Sequence, residues 1–271
     1  MMDGTGTFSR SLQRARGATR TTFRNNALEC LFNSGSAKAL LPRSYGPSNE
    51  VVLVNTAGGI TGGDIFTYES GADASHVTVT TQAAERAYRS SHGDAARLDV
   101  KLTAQNGASL HWLPQETILF DHNHLARHIE VDMDHDSECL ILESLVFGRH
   151  AMGEALSQCK FTDSWRIRRD GCLVHAEAQR LDGDPGRCLA HAAGADGAQM
   201  MAMIVYVGPR SAQIHADIKH VLDNIPSRAA VSAWNGKVVM RLLGRDTMTG
   251  KQNLTEILTA IGGVQVPRVW Q

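Results

Sequence analysis

Apolar and polar residues alternate with period two along much of this chain, interrupted by tight-turn dipeptides, and this pattern most narrows what it can fold into. Leu98, Val100 and Leu102 alternate with Asp99 and Lys101; after Asn106-Gly107, Ala108, Leu110 and Trp112 alternate with Ser109 and His111. Trp165 and Ile167 alternate with Arg166 and Arg168 ahead of Asp170-Gly171, and Asn235-Gly236 precedes Val238, Val239 and Met240. Successive strand side chains point to opposite faces, and Asn-Gly or Asp-Gly supplies the positive φ of a two-residue reversal. The pattern predicts antiparallel β structure throughout, with a hairpin at each of the three turns. Apolar runs at 51–54, 140–147 and 200–207 read as strands buried on both faces, which calls for two packed layers.

Two segments carry helical spacing instead. Ile218, Val221, Leu222 and Ile225 predict a helix near 216–225, stopped by Pro226. Leu254, Ile257, Leu258 and Ile261 predict another near 250–261, capped by Gly262. The expected fold is all-β, mainly antiparallel, a two-layered β-helix-like or sandwich body with two short helices. A single domain over residues 1–271 is expected, with 1–20 disordered and the glycine-rich stretch 183–197 a surface loop.

With 271 residues, 42% of them hydrophobic and 20% charged, the chain can bury a sizeable core. A formal net charge of -1 offers no electrostatic footing for nucleic acid or an anionic membrane. The arginine-rich start (Arg10, Arg14, Arg16, Arg20) lacks the apolar stretch of a secretory signal, and no run is long enough to span a membrane. Five cysteines without a C-x-x-C pair suggest reduced thiols rather than disulfides or a thiolate zinc site.

Four stretches bear on chemistry. Asn55 to Asp64 (NTAGGITGGD) holds four glycines but neither a P-loop ending nor a dinucleotide fingerprint, and reads as a bulge or sharp bend at a strand end. Thr80 to Ser90 reads as a polar strand or bend. In Leu113 to Asp121, Pro114 marks a strand end, and Glu116 and Asp121 are unspecific candidates for metal ligands or bases. Asp121 to Asp136 gathers His122, His124, His128 and His135 with Glu130, Asp132, Asp134 and Asp136. Imidazole and carboxylate suit a divalent metal, and a metal-dependent hydrolase built on Asp121–His135 is one alternative. Ile129, Val131 and Met133 alternate with Glu130, Asp132 and Asp134, so an amphipathic strand with a wet acidic face is the other.

Taken in order, the motifs are specific. Gly35-Ser36-Ala37-Lys38-Ala39 with Leu41-Pro42 precedes the glycine motif. Thr80-Thr81-Gln82-Ala83, Tyr88-Arg89-Ser90, Leu113 to Asp121, Glu143 to Glu154 (ESLVFGRHAMGE) and Trp165 to Arg169 follow. This series resembles the urease accessory protein D family over nearly the full chain, most specifically from Gly35 to Arg169. The resemblance implies a cytosolic, non-enzymatic protein. It would bind accessory protein F and, through it, the GTPase called accessory protein G, dock on apo-urease and promote nickel insertion. No tightly bound cofactor is implied, only a transient nickel ion passing along an internal polar path. On matching motif positions the candidate path residues are Asp64, Glu143 and Glu177, each alternatively a carboxylate held by an arginine such as Arg149 or Arg168. Glu143 interrupts an apolar run, where an unpaired buried charge is costly. The chain departs from the family pattern at His122, where glycine is usual, and at Arg86-Ala87, which weakens any family metal role for His122 or His124.

Overall fold

A computed structural model describes residues 13–43, 46–149 and 152–270. Among these, seventeen strands wind into a β-solenoid-like body of two facing sheets. The chain passes back and forth between them. In the first sheet lie β1 (Arg16–Arg24), β2 (Ala27–Gly35), β5 (Ile65–Asp73), β8 (Ala96–Gln105), β11 (Asn123–Met133), β13 (Cys159–Arg169) and β14 (Cys172–Gly183). The second holds β3 (Ala37–Leu40), β4 (Asn49–Asn55), β6 (His76–Thr81), β7 (Glu85–Ala87), β9 (Ser109–Trp112), β10 (Thr117–Leu119), β12 (Glu138–Phe147), β15 (Met200–Val207), β16 (Arg228–Trp234) and β17 (Lys237–Gly244).

The two-layer, mostly β expectation holds, but the sheets are mixed rather than mainly antiparallel. β1, β5, β8, β11 and β13 pair in parallel, as do β4, β6, β9 and β12. Antiparallel pairing is left to the margins: β1–β2, β13–β14, β3–β4 and the block β12–β15–β17–β16. Asp170-Gly171 and Asn235-Gly236 do close hairpins. Asn106-Gly107 does not. Both residues take the expected positive φ (55° and 70°), yet the turn carries the chain from β8 in one sheet to β9 in the other. A tight turn encodes reversal, not the partner met after it. At this edge successive corners are tied together: Asn106 Nδ2 donates to Asp73 Oδ1 (2.6 Å), Asn106 N to Asp134 Oδ2 (3.0 Å) and His76 N to Asn26 Oδ1 (2.8 Å).

Burial explains the two kinds of strand. Apart from the exposed edge strand β2, the first sheet buries one face, and its outer face carries a ladder in register, Arg20–Glu69–Lys101–Glu130–Arg166. The second sheet is buried twice, against the first sheet and, on its other face, under α2 (Ser211–Leu222) and α3 (Thr247–Ala260). Ile214, Ile218, Leu254, Ile257 and Leu258 pack there with Leu140, Leu142, Ile204, Val238 and Met240.

Several local expectations need correcting. The first long helix ends at Leu222, before Ile225 and Pro226, and the second ends in an extended Ile261 with no glycine cap. Asp246 caps the second from its start, its carboxylate accepting from Thr249 N. A short helix, α1 (Pro185–Ala190), lies in the expected loop, with Asp184 as its N-cap. Arg16–Arg20 belong to β1, so disorder over 1–20 does not extend there; residues 1–12 lie outside the described residues.

Candidate functional site

Between the sheets, in a core made mainly of apolar side chains, lies a buried charged group. β11 turns Arg127 inward, β13 supplies Asp163 from the same sheet, and β12 supplies Glu143 from the facing one. The Arg127 side chain is 1% exposed, Asp163 0% and Glu143 5%. Its Nη1 donates to Glu143 Oε2 and to Thr117 Oγ1 (3.2 Å), and its Nη2 to Asp163 Oδ2 (2.6 Å). Trp112 Nε1 donates to Glu143 Oε1 (2.8 Å). Asp163 Oδ1, Arg127 Nε and the nearby Trp165 Nε1 have no hydrogen-bond partner among the described residues.

One cation between two carboxylates leaves the group a charge short of neutral. Burial alone would discharge Arg127, but Asp163 and Glu143 outweigh it and hold its pKa above the usual value. Burial pushes Glu143 up, against the pull of Arg127, and Asp163 adds to the rise.

Polar groups continue to either side. Trp165 is level with Glu177 across β13–β14 and Asp163 with Gln179, so Glu177 lies inward of the sheet, next along from the buried trio. Its Oε2 accepts from Arg241 Nη2 (2.6 Å) at a groove of about 310 Å³ between β14 and β17, lined also by His175, Trp234 and Lys237. Near the glycine motif, Asp64 is 3% exposed, and its two oxygens accept from Ala15 N (2.7 Å) and Thr61 N (2.9 Å). It pins the start of β1 to the bend. Beside it Glu85 sits at a pocket of about 110 Å³, accepting from Asn55 Nδ2 (3.2 Å), and burial lifts its pKa to about 7.

Asp64, Glu143 and Glu177 thus stand in three separate hydrogen-bond settings and are not gathered into one site. Among the described residues no three His, Cys, Asp or Glu side chains converge as a metal shell. Neither Arg149 nor Arg168 holds them: Arg149 pairs with Glu154, Glu143 is held by Arg127 and Glu177 by Arg241. Arg127 gave little sign of itself, since in His124-Leu125-Ala126-Arg127-His128 it stands at an inward position of an alternating strand where an apolar residue is expected. That break in the alternation, with the break at Glu143, was the available signal.

The Asp121–His135 cluster does not form a site. His122 lies by Asp121 (3.4 Å), His124 Nδ1 bonds to Gly93 O (2.7 Å), His128 Nδ1 to Ser164 Oγ (2.7 Å), and His135 lies 3.9 Å from Asp170. Glu130 and Asp132 project from the exposed face of β11. The amphipathic-strand alternative accounts for this stretch.

The molecule is of the β-solenoid-like class: coiled, mostly parallel strands backed by helices, with a charged trio enclosed between its two sheets. Residues 13–271 match the model of the family described as UreD urease accessory protein, and the chain belongs to that family. It is 42% identical over 263 residues to urease accessory protein UreD of Xanthobacter autotrophicus, covering 95% of this chain and 90% of that one. To the UreD proteins of Dinoroseobacter shibae and Rhizobium rhizogenes it is 44% and 40% identical, covering 98% and 95% of this chain and 96% of each relative.

Proposed function

We propose that this chain is a urease maturation scaffold. It binds accessory protein F and through it the GTPase accessory protein G, docks on apo-urease in the cytoplasm, and assists nickel insertion by giving the ion a polar way through its interior. Nickel is cargo here, held in transit and not as a resident cofactor. One observation carries the passage: the charged trio of Arg127, Glu143 and Asp163 in the middle of an apolar core, continued toward the surface by Glu177. Buried ionic groups rarely repay their desolvation in stability, so their presence calls for another use. Carboxylate oxygens suit that use, since they bind divalent ions and release them more readily than a thiolate cage does. Among the described residues no helix is long and apolar enough to cross a membrane.

The test is to express the urease genes with the intact chain, without it, and with Glu143→Gln, then measure nickel per urease active site. Nickel-poor, inactive urease in the absence of the chain and with the variant supports the proposal. Full nickel loading without the chain rejects the maturation role, and full loading with E143Q rejects the passage.

A further inference from the structure

We propose that the Arg127 guanidinium is a resident counter-cation occupying a seat that a divalent metal ion can take, and that it keeps the Glu143–Asp163 pair from becoming a metal trap. The inference rests on the cation-passage reading above. Each carboxylate comes from a different sheet, and each gives one oxygen to one end of the same guanidinium. With that head group gone, the two carboxylates and the Thr117 hydroxyl would border the space it leaves, with the Trp112 indole still bonded to the other Glu143 oxygen. That is an all-oxygen donor set of the kind hard and borderline divalent cations accept, and Asp163 keeps its second oxygen uncommitted among the described residues.

Charge favours the exchange. Two carboxylates and one guanidinium leave a buried negative excess, whereas two carboxylates and a divalent ion balance. Both cations cannot sit there together, because like charges in so dry a place repel strongly. Metal entry therefore requires the guanidinium to leave its seat, where Arg127 Cζ also lies 5.7 Å from the centre of the Phe161 ring, whose face attracts a cation. With Arg127 present a metal must displace a bound cation to enter, so it binds weakly and leaves. Without it, the pair is a sink.

The experiment uses the purified full-length chain as wild type, Arg127→Met, and Arg127→Met with Asp163→Asn, with cobalt(II) as the probe. Cobalt retained per chain after desalting and the shift of Tm with cobalt are read for each. R127M is expected to bind cobalt roughly tenfold or more tighter than wild type and to gain Tm on adding it, and the double variant to do neither. R127M that retains no more cobalt than wild type overturns the proposal. So does R127M that stays unfolded with cobalt as without, since an ion fitting the seat would replace the missing charge. The urease assay separates the two ideas: cobalt binding by R127M alongside normal nickel loading with E143Q keeps the seat and loses the passage. No cobalt binding alongside failed loading with E143Q does the reverse.

Discussion

Arg127, Glu143 and Asp163 are held by one another: removing Arg127 leaves two uncompensated carboxylates in a dry core, and removing either carboxylate strips the guanidinium of a charged hydrogen-bond partner. Breaking such a group by a single substitution costs about 3–5 kcal/mol, while replacing all of it with apolar residues of similar size is neutral or stabilising. We therefore expect Arg127→Met, Glu143→Leu and Asp163→Leu together to keep or raise Tm and yet to abolish urease activation. A triple variant that still activates urease assigns the trio to structure alone. A second buried group makes a prediction about pH. His111 is enclosed beside Ser109, its Nε2 3.2 Å from the Ser109 hydroxyl, and Ser109 and Arg210 both donate to Glu138. Burial lowers the His111 pKa to about 4, with Glu138 pulling the other way and Arg210 and His76 adding to the fall. The unfolded chain takes up this proton near pH 6.5, the folded one only near 4. The stability that neutral His111 contributes is thus present above 6.5 and lost as pH falls toward 4, by about 3 kcal/mol. Glu138 acts lower: burial opposes its charge, but bonds from Arg210, Tyr206 and Ser109 bring its pKa to about 2. Denaturant titrations of wild type and His111→Asn between pH 7 and 4 should show the smaller loss in the variant, and equal slopes would exclude His111 as the cause.

At the scale of elements, the glycine motif is a bend whose geometry depends on the smallest side chain. Asn55 spans it, donating to Gly59 O (3.0 Å) and accepting from Ala57 N (2.9 Å). Gly59 has φ 153°, and a Cβ there would lie 2.2 Å from the Tyr88 ring and 2.8 Å from Arg86 O. The ring can shift but the carbonyl cannot easily, because Ile60 N is bonded to it. Gly59→Ala is expected to cost on the order of 2 kcal/mol in thermal unfolding, whereas Gly58→Ala, with open space around the Cβ and only its φ of 77° against it, should cost about 1 kcal/mol. Equal Tm values for the two would show that the contact, as opposed to backbone angle, is unimportant.

For the whole molecule, the second sheet is the shared wall of two cores, and the C-terminal segment closes the outer one. Trp270 is buried and donates to Leu113 O (3.1 Å), while Gln115 Nε2 donates to Val269 O (2.7 Å), tying the chain end to the Leu-Pro-Gln-Glu motif. Arg210 performs a similar closure, bridging Glu138 and the carbonyl of Gly262 (2.5 Å). Trp270→Ala should cost about 3–5 kcal/mol in urea unfolding, with Trp270→Phe recovering much of it. A loss under about 1 kcal/mol would mean the outer core holds without this closure.

Strand positions, the two-layer arrangement, the bend at the glycine motif and the wet face of β11 were legible in the sequence, because each depends on side-chain alternation or turn chemistry within a few residues. Two of the three turn dipeptides closed the hairpins expected of them, and the third showed the limit: Asn106-Gly107 has the right backbone but leads into the other sheet. Parallel pairing was hidden because it joins strands one full coil apart, with registers such as Ala126–Thr162 set by how the coils stack. The site divides the same way. Glu143 stood out as an acid in an apolar run, but its partners did not, since Arg127 and Asp163 are 16 and 20 residues away and meet it only when two facing sheets close. Local chemistry decided which groups are charged and which backbone turns; only the packing of coil on coil decided which charge answers which.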